Sequence, residues 1–339
     1  MALQTDLERL QSAWRALAGD GKGDGWHTIP IELGGPCRLL AGRHFPGDEE
    51  AVLVGFNSVR MPPDSQFPQG RGFRVEKVRH EIPGGIQAWV SLSRQSSGSL
   101  DMFARMAEDV ICILRARDHA SDETVFQLFL GRIKAWQEFM ERGKDDVLGP
   151  EAEVGLFGEL LVLKMILEAL GSPIIALESW NGPLDGLQDF LIGTGAIEVK
   201  STVAVNGFPA NIVSLEQLDA SLVQPLFLAG IRLSLDVSGK TLPEVIAELS
   251  GILSDEAAVQ GMFENLVLRA GFLWAFSDSY KRRFNHTGTM IVPVGKNFPK
   301  LTRDNVDIAI RKARYELDLD LVTVSDIGLN RALEELGAI

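Results

Sequence analysis

Asp189, Glu198 and Lys200 are the side chains of this sequence best equipped for chemistry. A pair of carboxylates offers a hard divalent cation such as Mg2+ (or Mn2+ as a substitute) the oxygen ligands it prefers. A cation held there polarises oxygen and activates water. An ammonium beside the pair can orient that water and offset the charge that grows in a transition state. Glu159 adds a third carboxylate. At helical spacing its neighbours Leu156, Val162, Leu163 and Ile166 are apolar, which sets it on or beside a buried face. An unpaired carboxylate is costly there and needs a metal, a cation or a hydrogen bond. The plainer alternatives are a Glu198–Lys200 ion pair on an exposed strand face, and a salt bridge or helix-edge charge at Glu159.

The stretch from Trp180 to Thr202 must bring these groups together. Asp189-Phe190-Leu191-Ile192 reads as a short strand and Gly193-Thr194-Gly195 as a turn. Ala196 to Val203 reads as a second strand, β-branched and mostly apolar. Side chains alternate along a strand, so Glu198 and Lys200 share one face and Ile197 and Val199 the other. Directly opposed residues of an antiparallel pair also share a face. With Thr194-Gly195 as a two-residue turn, the commonest hairpin connection, Asp189 falls opposite Lys200 and Leu191 opposite Glu198. The three polar groups then converge. A three-residue loop at Gly193 to Gly195 would instead oppose Asp189 to Val199 and separate the carboxylates, and a bulge would shift the register again.

An Asp on one strand followed by Glu-x-Lys on the next resembles the PD-(D/E)xK nuclease superfamily, whose fold many restriction endonucleases share. Within it the chain is most similar to a bacterial family of PD-(D/E)XK motif proteins found near restriction and phage-defence genes. Gly158-Glu159-Leu160-Leu161-Val162-Leu163, Trp180-Asn181-Gly182, Asp189-Phe190 and Ile197-Glu198-Val199-Lys200-Ser201 carry the likeness. The superfamily motif covers the middle of the chain, and the narrower likeness runs more loosely along most of it. The resemblance implies Mg2+-dependent hydrolysis of DNA phosphodiesters. Asp189, Glu198 and the Val199 carbonyl would ligate the metal, Glu159 would face it from its helix, and Lys200 would act on the water and the transition state. DNA would be the partner, with other subunits of a restriction or defence system beside it. Pro183-Leu184-Asp185 is closer to the superfamily's Pro-Asp spelling than Gln188-Asp189, which makes Asp185 a rival, although it lies beyond the strand end. Gln217 resembles a Gln that some members use near the site, but Ser221 stands where a Tyr sometimes follows. Its plainer reading is a polar helix residue.

The 339 residues suggest two domains at roughly 100–200 residues each. An apolar fraction of 45% with 23% charged residues is that of an ordinary globular protein and excludes a disordered chain. No run of about 18 apolar residues indicates a membrane span, and Met1 to Asp6 show no secretory pattern. Cys37 and Cys112 lie in apolar surroundings and read as buried free thiols, not as a disulfide or zinc framework. The expected compartment is the cytoplasm. The five histidines have no ligand spacing, and Gly70-Arg71-Gly72 lacks the Lys-Ser/Thr of a phosphate loop, so no ATPase is indicated.

A net charge of −13 opposes DNA binding unless the charge is segregated, because a polyanion needs local positive potential. It is segregated. Residues 141–189 are acidic, whereas 278–315 hold Lys281, Arg282, Arg283, Lys296, Lys300, Arg303, Arg311, Lys312 and Arg314 against Asp278, Asp304 and Asp307. Lys281, Arg282 and Arg283 are the expected nucleic-acid contacts. Arg60, Arg71, Arg74, Lys77, Arg79 and His80 form a second basic stretch that reads as a solvated sheet face.

In chain order, an amphipathic helix at 4–18 precedes several strands between Trp26 and Ser93, then helices at Ser99 to Arg115 and Glu123 to Met140. The polar stretch from Gly143 to Pro150 is the boundary candidate, giving domains 1–148 and 149–339. A helix at Glu151 to Leu170, a strand at Ile174 to Leu177, the hairpin, a strand near Ala210 to Val213, a helix at Ser214 to Leu222 and a strand at Pro225 to Val237 follow. Two helices, two strands and a terminal helix complete the chain. The expected fold class is α/β (α+β), with a restriction-endonuclease-like core of central mixed β-sheet flanked by helices behind a β-rich N-terminal domain. The expected function is a Mg2+-dependent DNA endonuclease. The alternatives are a catalytically inactive nuclease-fold module that binds DNA or partner proteins, and an acidic assembly subunit, for which oligomers are possible.

Overall fold

The computed structural model describes residues 6–19, 23–32, 37–78, 88–115, 121–141, 147–184 and 186–339, and the chain divides into two compact units, Met1–Asp146 and Val147–Ile339. In the first unit β1 (Gly25–Glu32), β2 (Arg38–Phe45), β3 (Glu49–Phe56), β4 (Gln69–Gly70), β5 (Phe73–Lys77) and β6 (Ala88–Arg94) form one sheet in the order β1-β2-β3-β6-β5-β4. Every pairing in it is antiparallel. Its helices are α1 (Asp6–Leu17), α2 (Leu100–Arg115) and α3 (Asp122–Glu141). Ala51 to Val54 are fully buried, and the Trp14 indole of α1 donates to the Ala51 carbonyl at 2.8 Å.

Buried charges in this unit are balanced. Arg43 donates to one oxygen of Glu50 at 2.8 Å and Arg94 to the other at 2.7 Å. Arg132 grips Asp109 at two points, both 2.6 Å. Arg74 pairs with Glu49 and Glu76, and Lys77 with Asp64, so this part of the first basic stretch is a compensated sheet face. Arg79 and His80 lie outside the described residues. Cys37 is buried as expected, but Cys112 is exposed. It sits on the outer side of α2, whose neighbours Ile111, Ile113 and Leu114 turn inward.

The second unit holds α4 (Pro150–Leu170), α5 (Pro173–Ser179), β7 (Phe190–Ile192), β8 (Gly195–Thr202), β9 (Pro209–Ile212), β10 (Leu226–Lys240), α6 (Leu242–Ile252), α7 (Ala257–Arg269), β11 (Phe284–Pro293), β12 (Tyr315–Asp318) and α8 (Leu329–Glu335). Four strands make a mixed sheet ordered β11-β10-β8-β7, in which only β8 and β10 run parallel. β9 and β12 form a separate antiparallel pair. Alternation along β8 sets its two faces. Ile197 and Val199 join the core with α4, α6 and α7, while Ala196 joins Leu226, Leu228 and Phe208 on the other side.

Two elements differ from expectation. Ile174 to Leu177 belongs to a helix, α5. Pro173 opens it at a position that needs no N–H, and burial follows Ala176, Leu177 and Ser179 while Ile174 and Ile175 stay exposed. Ser214 to Leu222 is a run of turns and bends, not a helix. There the Asp219 carboxylate accepts from the Ser221 N–H and hydroxyl at 2.9 and 2.7 Å, and the Gln217 carbonyl oxygen accepts from the Val213 N–H at 2.8 Å. Short polar side chains that bond nearby backbone compete with the helix. Among the described residues no helix is long and apolar enough to cross a membrane.

Candidate active site

The hairpin pairs Phe190 with Ile197, Leu191 with Ala196 and Ile192 with Gly195. Its turn is therefore Gly193-Thr194, not Thr194-Gly195. One residue further along the same register, Asp189 faces Glu198 and not Lys200. The cause lies far along the chain. Gly193 takes φ 59°, and a Cβ there would stand 1.9 Å from the Leu336 carbonyl oxygen. That same oxygen accepts the Thr194 N–H at 2.9 Å, so the end of α8 holds the turn. The difference from the expected register is two residues, one full side-chain period, so Asp189, Glu198 and Lys200 still gather together.

Hydrogen bonds define the cluster. Asp189 Oδ2 accepts the Val199 N–H at 2.7 Å. The N–H and C=O of one strand residue leave on the same edge, so the Val199 carbonyl also faces the Asp189 side. Lys200 Nζ donates to Glu198 Oε1 at 2.7 Å, and Gln217 Nε2 donates to the same oxygen at 2.8 Å. Glu198 Oε2 is buried with no hydrogen-bond partner among the described residues. The Glu198 side chain is 2% exposed and that of Lys200 15%, so this is no surface ion pair.

Glu159 arrives from α4. That helix lies close on β8 at Gly158, where a Cβ would come within 1.7 Å of Ser201 Oγ. The Trp180 indole donates to Glu159 Oε2 at 2.8 Å. Gly182 then shows how near the two outer carboxylates are, since a Cβ on it would lie 2.5 Å from Glu159 Oε2 and 3.1 Å from Asp189 Oδ1. The Asn181 and Gly182 N–H groups donate to the Asp189 carbonyl at 2.7 and 3.0 Å, which locks this loop against the strand. β7 is only three residues long. Beyond it the edge of β8 is free to admit carboxylates from both faces.

The electrostatics follow from crowding in a desolvated place. Burial, then the Asp189 charge, pushes Glu198 up to about 8. Burial and Asp189 do the same to Glu159, also to about 8, against the pull of the Trp180 hydrogen bond. Burial raises Asp189 as well, although Lys200 and the Val199 N–H oppose it. Burial alone would depress Lys200, but Glu198, Asp189 and Glu159 outweigh it and hold the ammonium above its ordinary value.

The donor set is all oxygen, which suits a hard cation such as Mg2+ better than a soft one. The Glu198 Oε2 acceptor, left without a bond among the described residues, is the kind of atom such an ion takes, and in that respect the residues present fit it. Lys200 and Gln217 both occupy Glu198 Oε1, and among the described residues no group of three or more His, Cys, Asp or Glu stands in metal-holding array.

The remaining candidates fall in different places. Asp185 lies outside the described residues. Gln217 is in a turn and not a helix, and it touches Glu198 directly. Arg282 is bound to Glu153 at 2.6 and 2.8 Å and to the Pro150 carbonyl at 2.6 Å. Arg283 is bound to Glu244 at 2.7 Å and to the Gly239 carbonyl at 2.6 Å. Both guanidiniums are thus committed within the fold and half-buried, and of the three residues Lys281 is the exposed one. Trp180 and Gly182 were visible in the sequence only as part of a motif. Their contacts with Glu159 and Asp189 need the fold.

A family model described as "Putative PD-(D/E)XK family member" (DUF4420) matches residues 10–320, and the chain belongs to that family. The mixed sheet with its flanking helices is the α+β nuclease-like fold. No curated protein and no solved structure gives a significant match.

Proposed function

We propose that the second unit is a Mg2+-dependent DNA endonuclease domain that hydrolyses phosphodiesters. The observation that carries this is the convergence of Asp189, Glu198, Lys200 and Glu159 at the free edge of β8. Asp189, Glu198 and the Val199 carbonyl would hold the cation, with Glu159 facing it. Bound there, Mg2+ would neutralise a phosphate oxygen and lower the pKa of water. Lys200 orients the attacking water and offsets the charge of the pentavalent transition state. Gln217 fixes the Glu198 carboxylate, and Trp180 fixes Glu159. Family membership supports a nuclease, and the resemblance drawn from the sequence supports service in a restriction or phage-defence system of the cytoplasm, with partner subunits.

The decisive experiment pairs Mn2+ calorimetry with plasmid nicking, partner proteins supplied. Lys200→Ala removes a cation but no ligand. Mn2+ binding should persist or tighten, while nicking falls about 10²–10³-fold, the usual loss for one transition-state donor. Glu198→Ala should lose both. A second reading, a nuclease fold kept as a binding module without turnover, draws on Lys200 and Gln217 filling Glu198 Oε1. Wild-type protein that neither binds Mn2+ nor nicks DNA would establish that reading instead.

A further inference from the structure

We propose that the irregular loop 300–314, and not the Lys281–Arg283 segment, is the surface that grips the DNA backbone beside the candidate site. This inference rests on the nuclease reading and names where its polyanionic partner lies. The loop contains Lys300, Arg303, Arg311, Lys312 and Arg314 against only Asp304 and Asp307, in a chain of net charge −13. Arg311, Lys312 and Arg314 are exposed, and none has an acidic partner among the described residues. That contrasts with Arg282 and Arg283, which are held by Glu153 and Glu244. A cation already paired within the fold must break that pair to meet a phosphate, whereas an unpaired one need only shed counterions and water.

Position favours the loop as strongly as charge does. Tyr315, directly after Arg314, opens β12 and pairs with Ile212 at the end of β9. The next residue, Val213, donates its N–H to Gln217, whose amide in turn holds Glu198. Burial raises the Tyr315 phenol, while the Leu301 N–H and the charge of Lys200 pull it the other way, so the loop's exit lies within electrostatic reach of the site. Its entry is tied there too. Arg303 pairs with Glu216 at 2.8 Å, and the Glu216 carbonyl accepts from Gln188, the residue before Asp189. The base is stiffened by Asn305, which accepts the Thr302 N–H and donates to the Lys300 carbonyl, both at 2.7 Å.

The Lys281–Arg283 segment lies elsewhere. Phe284 pairs with Leu235, which is five residues along β10 from Gly230, the residue level with Lys200. That is roughly 16 Å along the strand and, with β11 two places from β8, roughly 10 Å across the sheet.

The test uses the full chain and a labelled duplex of random sequence, without divalent cation, so that binding is read apart from cleavage. Arg311→Gln, Lys312→Gln and Arg314→Gln together should weaken DNA binding about tenfold at low salt and make the slope of log K against log salt shallower by about 2.7, the value for three lost phosphate contacts. Lys281→Gln should leave affinity within about twofold. The loop is irregular and these three cations have no bonding partner among the described residues, so thermal unfolding should be unchanged, and the single variants supply graded slopes if it is not. Unchanged affinity and slope in the triple variant would overturn the assignment while leaving the Mn2+ and nicking results on Lys200 and Glu198 intact. A larger loss from Lys281→Gln than from the triple variant would overturn it in favour of the original segment. Wild-type protein without salt-dependent DNA binding would overturn it outright, and nicking with Mn2+ would then judge the nuclease reading separately.

Discussion

Glu50 in the first unit and Glu198 in the second are both sealed inside a sheet, at 4% and 1% exposure, yet their surroundings are opposite in kind. Glu50 has a guanidinium on each oxygen, Arg43 at 2.8 Å and Arg94 at 2.7 Å. Glu198 has Lys200 and Gln217 crowded on one oxygen, no partner among the described residues on the other, and two more carboxylates close by. The first arrangement is what a fold needs in order to bury a charge, namely a complete set of partners. The second buries more negative charge than one ammonium offsets. Such an excess costs stability and recurs where chemistry needs it. On the nuclease reading proposed above, the contrast separates charge kept for structure from charge kept for function within one chain.

The largest expected effect is on the structural side. Glu50→Ala leaves Arg43 and Arg94 without their shared counterion. Removing one partner of a buried ion network costs about 3–5 kcal/mol, so denaturant unfolding of the first unit should move by that amount. The equivalent neutralisation in the second unit should go the other way. Glu198→Gln relieves repulsion with Asp189 and Glu159 and still accepts from Lys200, so it should stabilise by about 0.5–2 kcal/mol, as removal of functional frustration commonly does. A destabilisation of equal size at both positions would erase the distinction. A loss smaller than that at Glu50 follows at Trp180. Trp180→Phe removes the indole bond to Glu159 but keeps most of the buried ring, and the loss should be about 1–3 kcal/mol of stability, the cost of leaving a buried group unsatisfied.

How much of this was legible in the sequence depends on how local the deciding contact is. Alternation in Ile197-Glu198-Val199-Lys200 fixed which side chains share a face without any tertiary information. The turn did not follow in the same way. Gly193-Thr194 and Thr194-Gly195 have similar local preferences, and the Leu336 carbonyl that selects the first is 142 residues from Thr194. Convergence survived because the slip was a whole period. Ile174-Ile175 looked like strand because both are β-branched, whereas Pro173 and the burial of Ala176 and Leu177 made a helix. Gln217 reads as a helix residue because nothing local shows that Asp219 and Gln217 bond the backbone. Arg282 and Arg283 looked free because their partners Glu153 and Glu244 are 129 and 39 residues away. Charge runs give composition locally, but whether a charge is available is a tertiary property.

The pH dependence is the most diagnostic outcome, because buried carboxyls crowded together give it a definite sign. Glu159 and Glu198 rise from 4.5 to about 8 on folding, through burial first and the charge of Asp189 second. Between those values the folded protein keeps protons that the unfolded chain has released. The stability linked to them is therefore fully present below about pH 4.5 and is lost as pH rises through about 8. The steps belong to the cluster as a whole, since the three carboxylates titrate against one another. The unfolding midpoint of the second unit should fall across this window, and Glu198→Gln should flatten the fall. Mn2+ should reverse the trend, because its ligands must be deprotonated, so the stabilisation it confers should grow from pH 5 to pH 8. Thermal unfolding with and without Mn2+ at several pH values measures both slopes. A wild-type slope identical to that of Glu198→Gln, with a Mn2+ shift independent of pH, would mean that Glu198 is as well compensated as Glu50.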